Sequence, residues 1–253
     1  MSGHSKWAQI RRSKGVNDAR RGQLFTRLGR EIVVAVREGG SGDPATNFRL
    51  RMAVQRARDA NMPLDNIERT IKRAVGGIEG ANLEEMTYEG YGPGGTAIMV
   101  QTLTENRNRT VADIRNAFNR NGGNLGENGC VDWLFESKGV IEVELEGHDP
   151  DEISVEVLDL GAIDVEPVSA DDEVLTVYTN PSEVEDVRRK IEEHGYKVLK
   201  SESTLIPQTK VELSDEKVAH QVMRLVDRLE DLDDVQNVYT NADFPAEFAE
   251  SYG

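Results

Sequence analysis

The sequence predicts an α+β protein: an N-terminal three-helix domain followed by two ferredoxin-like α/β domains, one inserted in the other. Three observations predict it. Apolar residues recur at three- and four-residue steps through the first third. Short runs rich in Val, Ile and Thr alternate with amphipathic stretches through the rest. The charge also changes sign between the two regions: from Met1 to Val75 sixteen Lys and Arg face seven Asp and Glu, a net of +9, so the remaining residues carry −25 within a chain total of −16.

Residues 1 to 22 are basic and polar with little periodicity, and read as an arm that is extended or ordered only against a partner. A helix is predicted from Gln23 to Glu38, where Leu24, Leu28, Ile32, Ala35 and Val36 fall within about 120° of arc while Arg27, Arg30 and Arg37 fall on the other side. The run Gly39-Gly40-Ser41-Gly42-Asp43-Pro44 ends it. A second helix from Asn47 to Ala60 sets Leu50, Ala53, Val54 and Ala57 on one side and Arg49, Arg51, Arg56 and Arg58 around the rest. A third starts at Pro63, buries Ile67, Ile71 and Ala74, and stops at Gly76-Gly77.

After a linker from Gly76 to Asn82, strands are predicted at residues 97–103, 130–135, 140–145, 163–168, 174–179, 196–200, 204–213 and 235–240. Helices are predicted at 110–120, 151–158, 182–194 and 215–229. The order from Val140 to Lys200 is βαββαβ, the split βαβ unit of a ferredoxin-like domain. Lifting it out leaves two flanking βαβ pieces. The expected domains are therefore 1–80, a discontinuous 81–136 with 203–245, and an inserted 137–202.

Composition excludes several functions. A single cysteine, Cys130, forms no internal disulfide, and the sequence carries no signal-peptide pattern and no 18-residue apolar run, which reads as a cytoplasmic protein without membrane contact. The four histidines are scattered without the short spacings of a zinc site, and the acidic runs read as solvated surface, so no metal and no cofactor are expected. Gly90-Tyr91-Gly92-Pro93-Gly94-Gly95 matches GxGxxG by letters, but a strand follows it where a dinucleotide site needs a helix, so it reads as a tight glycine loop. Ser214 to Lys217 fits the SxxK pattern of certain hydrolases, yet Ser214 reads more simply as a helix cap. Without a credible nucleophile and base, neither an enzyme nor a small-molecule substrate is expected.

The basic head is the candidate site. Lys and Arg that displace condensed counterions from phosphates supply most of non-specific nucleic-acid affinity, and acids in this segment are too few to balance its cations. The candidate residues are Lys6, Trp7, Arg11, Arg12, Lys14, Arg20 and Arg21 in the arm and Arg27, Arg30, Arg49, Arg51, Arg56 and Arg58 on the helices. Trp7 offers a ring for stacking. Arg107 and Arg109 join them from the polar knot Asn106-Arg107-Asn108-Arg109-Thr110, where Thr110 is placed to cap a helix. Cys130 is expected as a small buried hydrophobe in a strand.

Met1-Ser2-Gly3-His4-Ser5-Lys6-Trp7 resembles the opening of the YebC/PmpR family, whose members include the mitochondrial translational activator of cytochrome c oxidase. The likeness continues through residues 19–22, Asn61-Met62-Pro63, Asp65-Asn66-Ile67-Glu68-Arg69, Tyr88 to Gly95, Asn106 to Asp113 and Gly122 to Gly126. The resemblance implies three domains, the first helical and the third inserted in the second, and a cytoplasmic, non-enzymatic regulator. Family members act as DNA-binding transcriptional regulators or as ribosome-associated factors that assist translation of difficult sequences such as proline runs. The implied partner is therefore DNA, or ribosomal or transfer RNA with the ribosome. Gln23, Leu64 and Ser137 depart from the basic residues usual at those positions, and each departure removes a phosphate contact.

Overall fold

The computed structural model describes residues 18–77, 83–168 and 172–252. Lys6, Trp7, Arg11, Arg12 and Lys14 lie outside the described residues, as do part of the expected linker and the side chain of Arg20. The chain divides into two compact units, one of residues 134–208 and one made of the segments that flank it. The architecture is α+β, with helices first and two four-stranded sheets after them.

In the larger unit, three helices open the described chain: α1 (Asp18–Gly39), α2 (Phe48–Asp59) and α3 (Leu64–Val75). Helix α1 begins at Asp18 rather than Gln23, so the backbone at Arg20 and Arg21 is helical and not part of an extended arm. Ala, Arg and Gln are strong helix formers, and the single Gly22 costs too little to stop the turn. Leu28, Ile32 and Ala35 of α1 pack on Leu50, Ala53, Val54 and Ala57 of α2 and Ile67 of α3. The buried Asn47 fixes the α1–α2 corner: its side chain accepts from the Leu50 amide at 3.0 Å and donates to Ala35 O at 2.8 Å and Ser41 O at 2.9 Å. Asn61 closes α2 with φ of 58°, a left-handed cap that asparagine tolerates.

A second stripe of α1, Val33 and Val34, packs with Leu103 of β2 (Ala97–Thr104) and with Leu83, just ahead of the first strand. The four-stranded sheet of this unit runs β3 (Asn124–Leu125), β1 (Glu84–Tyr91), β2, β9 (Val235–Thr240), with every neighbour antiparallel. Its other face carries α4 (Arg107–Arg120) and α7 (Glu216–Glu230), joined in a core of Ile98, Val100, Ile114, Phe118, Val222, Met223 and Val226. Between β1 and β2 the glycine-rich segment makes a tight turn, Gly94 and Gly95 both at positive φ, as its letters without a following helix imply.

Two expected strands come out differently, and one strand forms that is not in the expected set. Strand β1 is absent from the expected set, because its three glutamates and its glycine hide the alternation, yet it takes an interior place in the sheet. The expected strand 130–135 does not form. Buried Glu89 accepts from the backbone amides of Gly129 (2.7 Å), Val131 (2.8 Å) and Asp132 (2.8 Å), so a carboxylate satisfies donors that a neighbouring strand would otherwise take, and half-buried Cys130 sits in that loop. The expected strand 204–213 splits: its first part lengthens β7 (Val198–Pro207), and β8 (Val211–Glu212) pairs in parallel with β10 (Ala242–Asp243).

The unit of residues 134–208 has sheet order β5 (Asp164–Val165), β6 (Val174–Thr179), β4 (Phe135–Glu144), β7, all antiparallel. Read as βαββαβ this is the order fourth, first, third, second of a ferredoxin-like unit, taken from the β7 edge. Ile141, Val143, Leu175 and Val177 are buried, as are Ile153 and Val157 of α5 (Pro150–Asp159) and Val184, Val187 and Ile191 of α6 (Val184–Glu193). The larger unit keeps the same sheet pattern with β1, from ahead of the first βα step, standing in the third strand's place. The last helix, α8, spans Ala246–Ser251.

Candidate nucleic-acid interface

The amphipathic pattern that buries Leu50, Ala53, Val54 and Ala57 leaves the arginines of α2 on the remaining arc, and the structure sorts them into two groups. The first group is held by carboxylates. Arg49 bridges Glu38 of α1 and Glu85 of β1, and Arg56 donates to Glu31 at 2.6 Å. Both line a cleft of about 280 Å³ that is also lined by Thr87, Gln101 and Asn237 of the sheet. Arg30 donates to Asp233 O at 2.7 Å and lies 3.3 Å from Asp234 Oδ1. Arg109 donates to both oxygens of Asp234, and exposed Arg107 lies 3.7 Å from Glu84. Arg27 is half-buried.

The second group faces water. Arg21, Arg51 and Arg58 are exposed and have no acidic partner among the described residues. Arg69 and Lys72 on α3, absent from the set that charge and periodicity select, share that state. Arg51 also stacks its guanidinium over the ring of Phe48, 5.4 Å from the centroid. Phe48 itself is half exposed and is likewise absent from the expected set. The sequence carries a signal for all three: Arg69 and Lys72 lie off the Ile67–Ile71 face of α3, and Phe48 lies off the core face of α2.

Asp234 is the centre of the first group. Burial pushes its carboxyl pKa up, but hydrogen bonds from Arg109 and Thr110 and the charges of Arg109 and Arg30 outweigh that and leave it below the ordinary aspartate value. Thr110 does not cap α4. That role belongs to Asn106, whose side chain accepts from the Arg109 amide at 3.1 Å, while the buried Thr110 hydroxyl donates to Asp234 Oδ2 at 2.8 Å. Ser214 likewise cedes the cap of α7 to Asp215, which accepts from the Lys217 amide at 2.8 Å. Glu89 is also held below the ordinary glutamate value: burial raises it, and its three backbone hydrogen bonds prevail.

Among the described residues no group of His, Cys, Asp and Glu is arranged to hold a metal ion, and no helix is long and apolar enough to cross a membrane. The arrangement can grip a polyanion through the exposed cations of α2 and α3, with the paired arginines fixing the helices to the sheet.

Two family models together cover most of the chain. Residues 5–77 match the family model described as the TACO1/YebC protein N-terminal domain, and residues 83–242 match the one described as the TACO1/YebC second and third domain. A probable transcriptional regulatory protein of Moorella thermoacetica is 53% identical over 247 residues, covering 97% of each chain. One of Chloroflexus aurantiacus is 52% identical over 249 residues, covering 98% of this chain and 97% of that one. Among solved structures, a conserved hypothetical protein from Aquifex aeolicus superposes with a TM-score of 0.79 at 46% identity, over 90% of this chain and 92% of that one.

Proposed function

Since the chain belongs to the TACO1/YebC family, we propose that it is a nucleic-acid-binding transcriptional regulatory protein that works in the cytoplasm without catalysis of its own. The observation that carries this reading is a set of exposed cations, Arg21, Arg51, Arg58, Arg69 and Lys72, without acidic partners among the described residues. They gather on helices α1 to α3 of a chain whose overall charge is −16. Cations so placed add little to folding, whereas a phosphate chain would release counterions on meeting them. The basic residues 6 to 21 extend the same charge in sequence. Phosphate contacts fix position and carry no sequence information, so these residues set affinity and not the choice of operator.

Fluorescence anisotropy of a labelled duplex across a salt series tests it. About six contacts give log Kd a dependence on log salt with a slope of magnitude about 5. Absence of binding at low salt would remove the reading.

One observation favours a second reading, a translation factor on the ribosome: the remaining residues carry −25, which a free-standing DNA regulator gains little from and which basic ribosomal proteins complement. Sedimentation of lysate separates the two. Co-migration with ribosomal subunits that is lost at high salt supports translation, and enrichment on defined promoter fragments supports transcription.

A further inference from the structure

The outer stripe of α2 carries an aromatic residue that lies outside the three-helix core. Taking Phe48 as zero and about 100° per residue, the core residues Leu50, Ala53, Val54 and Ala57 centre near 190°. Arg51, Gln55 and Arg58 fall between about −20° and −80°, beside Phe48 and away from that core. Phe48 is 50% exposed, outside the cluster that holds the three helices together. Its ring is not bare: the Arg51 guanidinium stands over it at 5.4 Å, which restrains both side chains and pairs a flat apolar surface with a cation. From Phe48 to Arg58 the stripe is roughly 15 Å long. Its far end holds one acid, Asp59, whose carboxylate accepts from Gln55 at 2.9 Å.

We propose that this stripe is a single-strand site, in which an unpaired base stacks on the Phe48 ring and the adjoining phosphates lie along Arg51 and Arg58. Duplex bases are already stacked on each other and must be unstacked, at a cost of a few kcal/mol per step, before a side chain can reach a face, so an exposed ring amid cations suits single strands. Helix α3 of the same bundle carries two more exposed cations, Arg69 and Lys72, without acidic partners among the described residues. The proposal rests on the nucleic-acid reading above and sharpens it from polyanion to unpaired strand.

The test uses the full chain and three labelled probes of one sequence: a single-stranded RNA 15-mer, the matching single-stranded DNA, and the DNA duplex. Phe48→Ala is expected to weaken binding of a single strand by about 5- to 150-fold, the range for loss of one base stack, with less than about a twofold change on the duplex. Phe48→Tyr keeps a ring and is expected to retain single-strand affinity within about threefold. Tighter binding of the RNA or of the DNA strand identifies the source of the base. The ratio of single-strand to duplex affinity within one preparation decides between the outcomes even where Phe48→Ala lowers stability. An unchanged ratio in Phe48→Ala, or equal loss in Phe48→Tyr, overturns the stacking site while leaving polyanion binding intact. Failure of the unaltered protein to bind any of the three probes overturns the broader reading.

Discussion

Arg109 holds Asp234 in a two-oxygen grip, its Nη2 at 2.8 Å from Oδ2 and 3.1 Å from Oδ1, although the residues lie 125 positions apart in the chain. Arg30 of α1 approaches the same carboxylate, and Thr110 donates to it from inside α4. One buried aspartate therefore ties α1, α4 and the segment ahead of β9 to each other. It also occupies two guanidiniums that composition alone offers to phosphate.

Asp234→Asn keeps the shape of this junction and removes its charge. The expected loss is about 1 to 3 kcal/mol at pH 7, read by urea unfolding, since charged hydrogen bonds with partly buried partners are broken. The folded carboxyl titrates below the value of about 3.9 expected in the unfolded chain, so its contribution is complete above about pH 4 and disappears as pH falls through the folded pKa. The stability gap between the two proteins should shrink in acid. A gap of constant size across that range would show that the charge is not what stabilises.

Glu89→Gln places an amide where three backbone amides converge. Gln supplies one acceptor oxygen and two further donors, so at least one amide of Gly129, Val131 and Asp132 is left facing another N–H. Hydrogen exchange at those positions should accelerate by about tenfold or more, with global stability down by about 1 to 3 kcal/mol. Unaltered protection in the loop would mean that Glu89 does not organise it.

Gly139 in β4 has no room for a methyl group: a Cβ there would meet Thr179 Oγ1 at 2.1 Å and Val184 Cβ at 2.9 Å. Gly139→Ala should destabilise the 134–208 unit by about 1 to 3 kcal/mol. Thermal unfolding followed by circular dichroism should detect it, and a melting curve superposable on the parent's would contradict the close approach.

Charge reversal of Arg11, Arg12 and Lys14 to Glu should weaken duplex or RNA binding by roughly two orders of magnitude or more at about 100 mM salt. Arg51→Ala with Arg58→Ala should lower the magnitude of the salt slope by about 2. Filter binding measures both. Melting temperatures should stay within about 2 °C of the parent for the Arg51 and Arg58 pair, since neither side chain has an acidic partner among the described residues.

Much of the architecture is legible in the sequence because apolar periodicity reports burial directly. The helices at 48–59 and 64–75 and the strands at 174–179 and 235–240 fall within a residue or two of their predicted bounds. What escapes depends on partners distant in sequence. Glu84 to Tyr91 reads as a polar stretch until β2 and β3 flank it, and Cys130 to Phe135 reads as a strand until Glu89 collects its amides. The site is legible in the same uneven way. Clustered arginines are visible in composition, but that Glu31, Glu38, Glu85 and Asp234 take up Arg56, Arg49 and Arg30 follows only from tertiary contact.

The way residues 134–208 enter and leave the chain bears on folding speed. Phe135 pairs with Pro207, and the Gln208 amide donates to Leu134 O at 2.8 Å, so both ends of that unit emerge side by side. The β2–β9 pairing has to join Gln101 to Asn237 across 136 positions. Once the intervening unit has formed, the free chain to be closed is less than half as long, which trims the closure penalty by about 0.6 kcal/mol, or roughly threefold in rate. The sheet of the larger unit is therefore expected to close fastest once residues 134–208 have folded, and Gly139→Ala should slow refolding of strands it does not pair with.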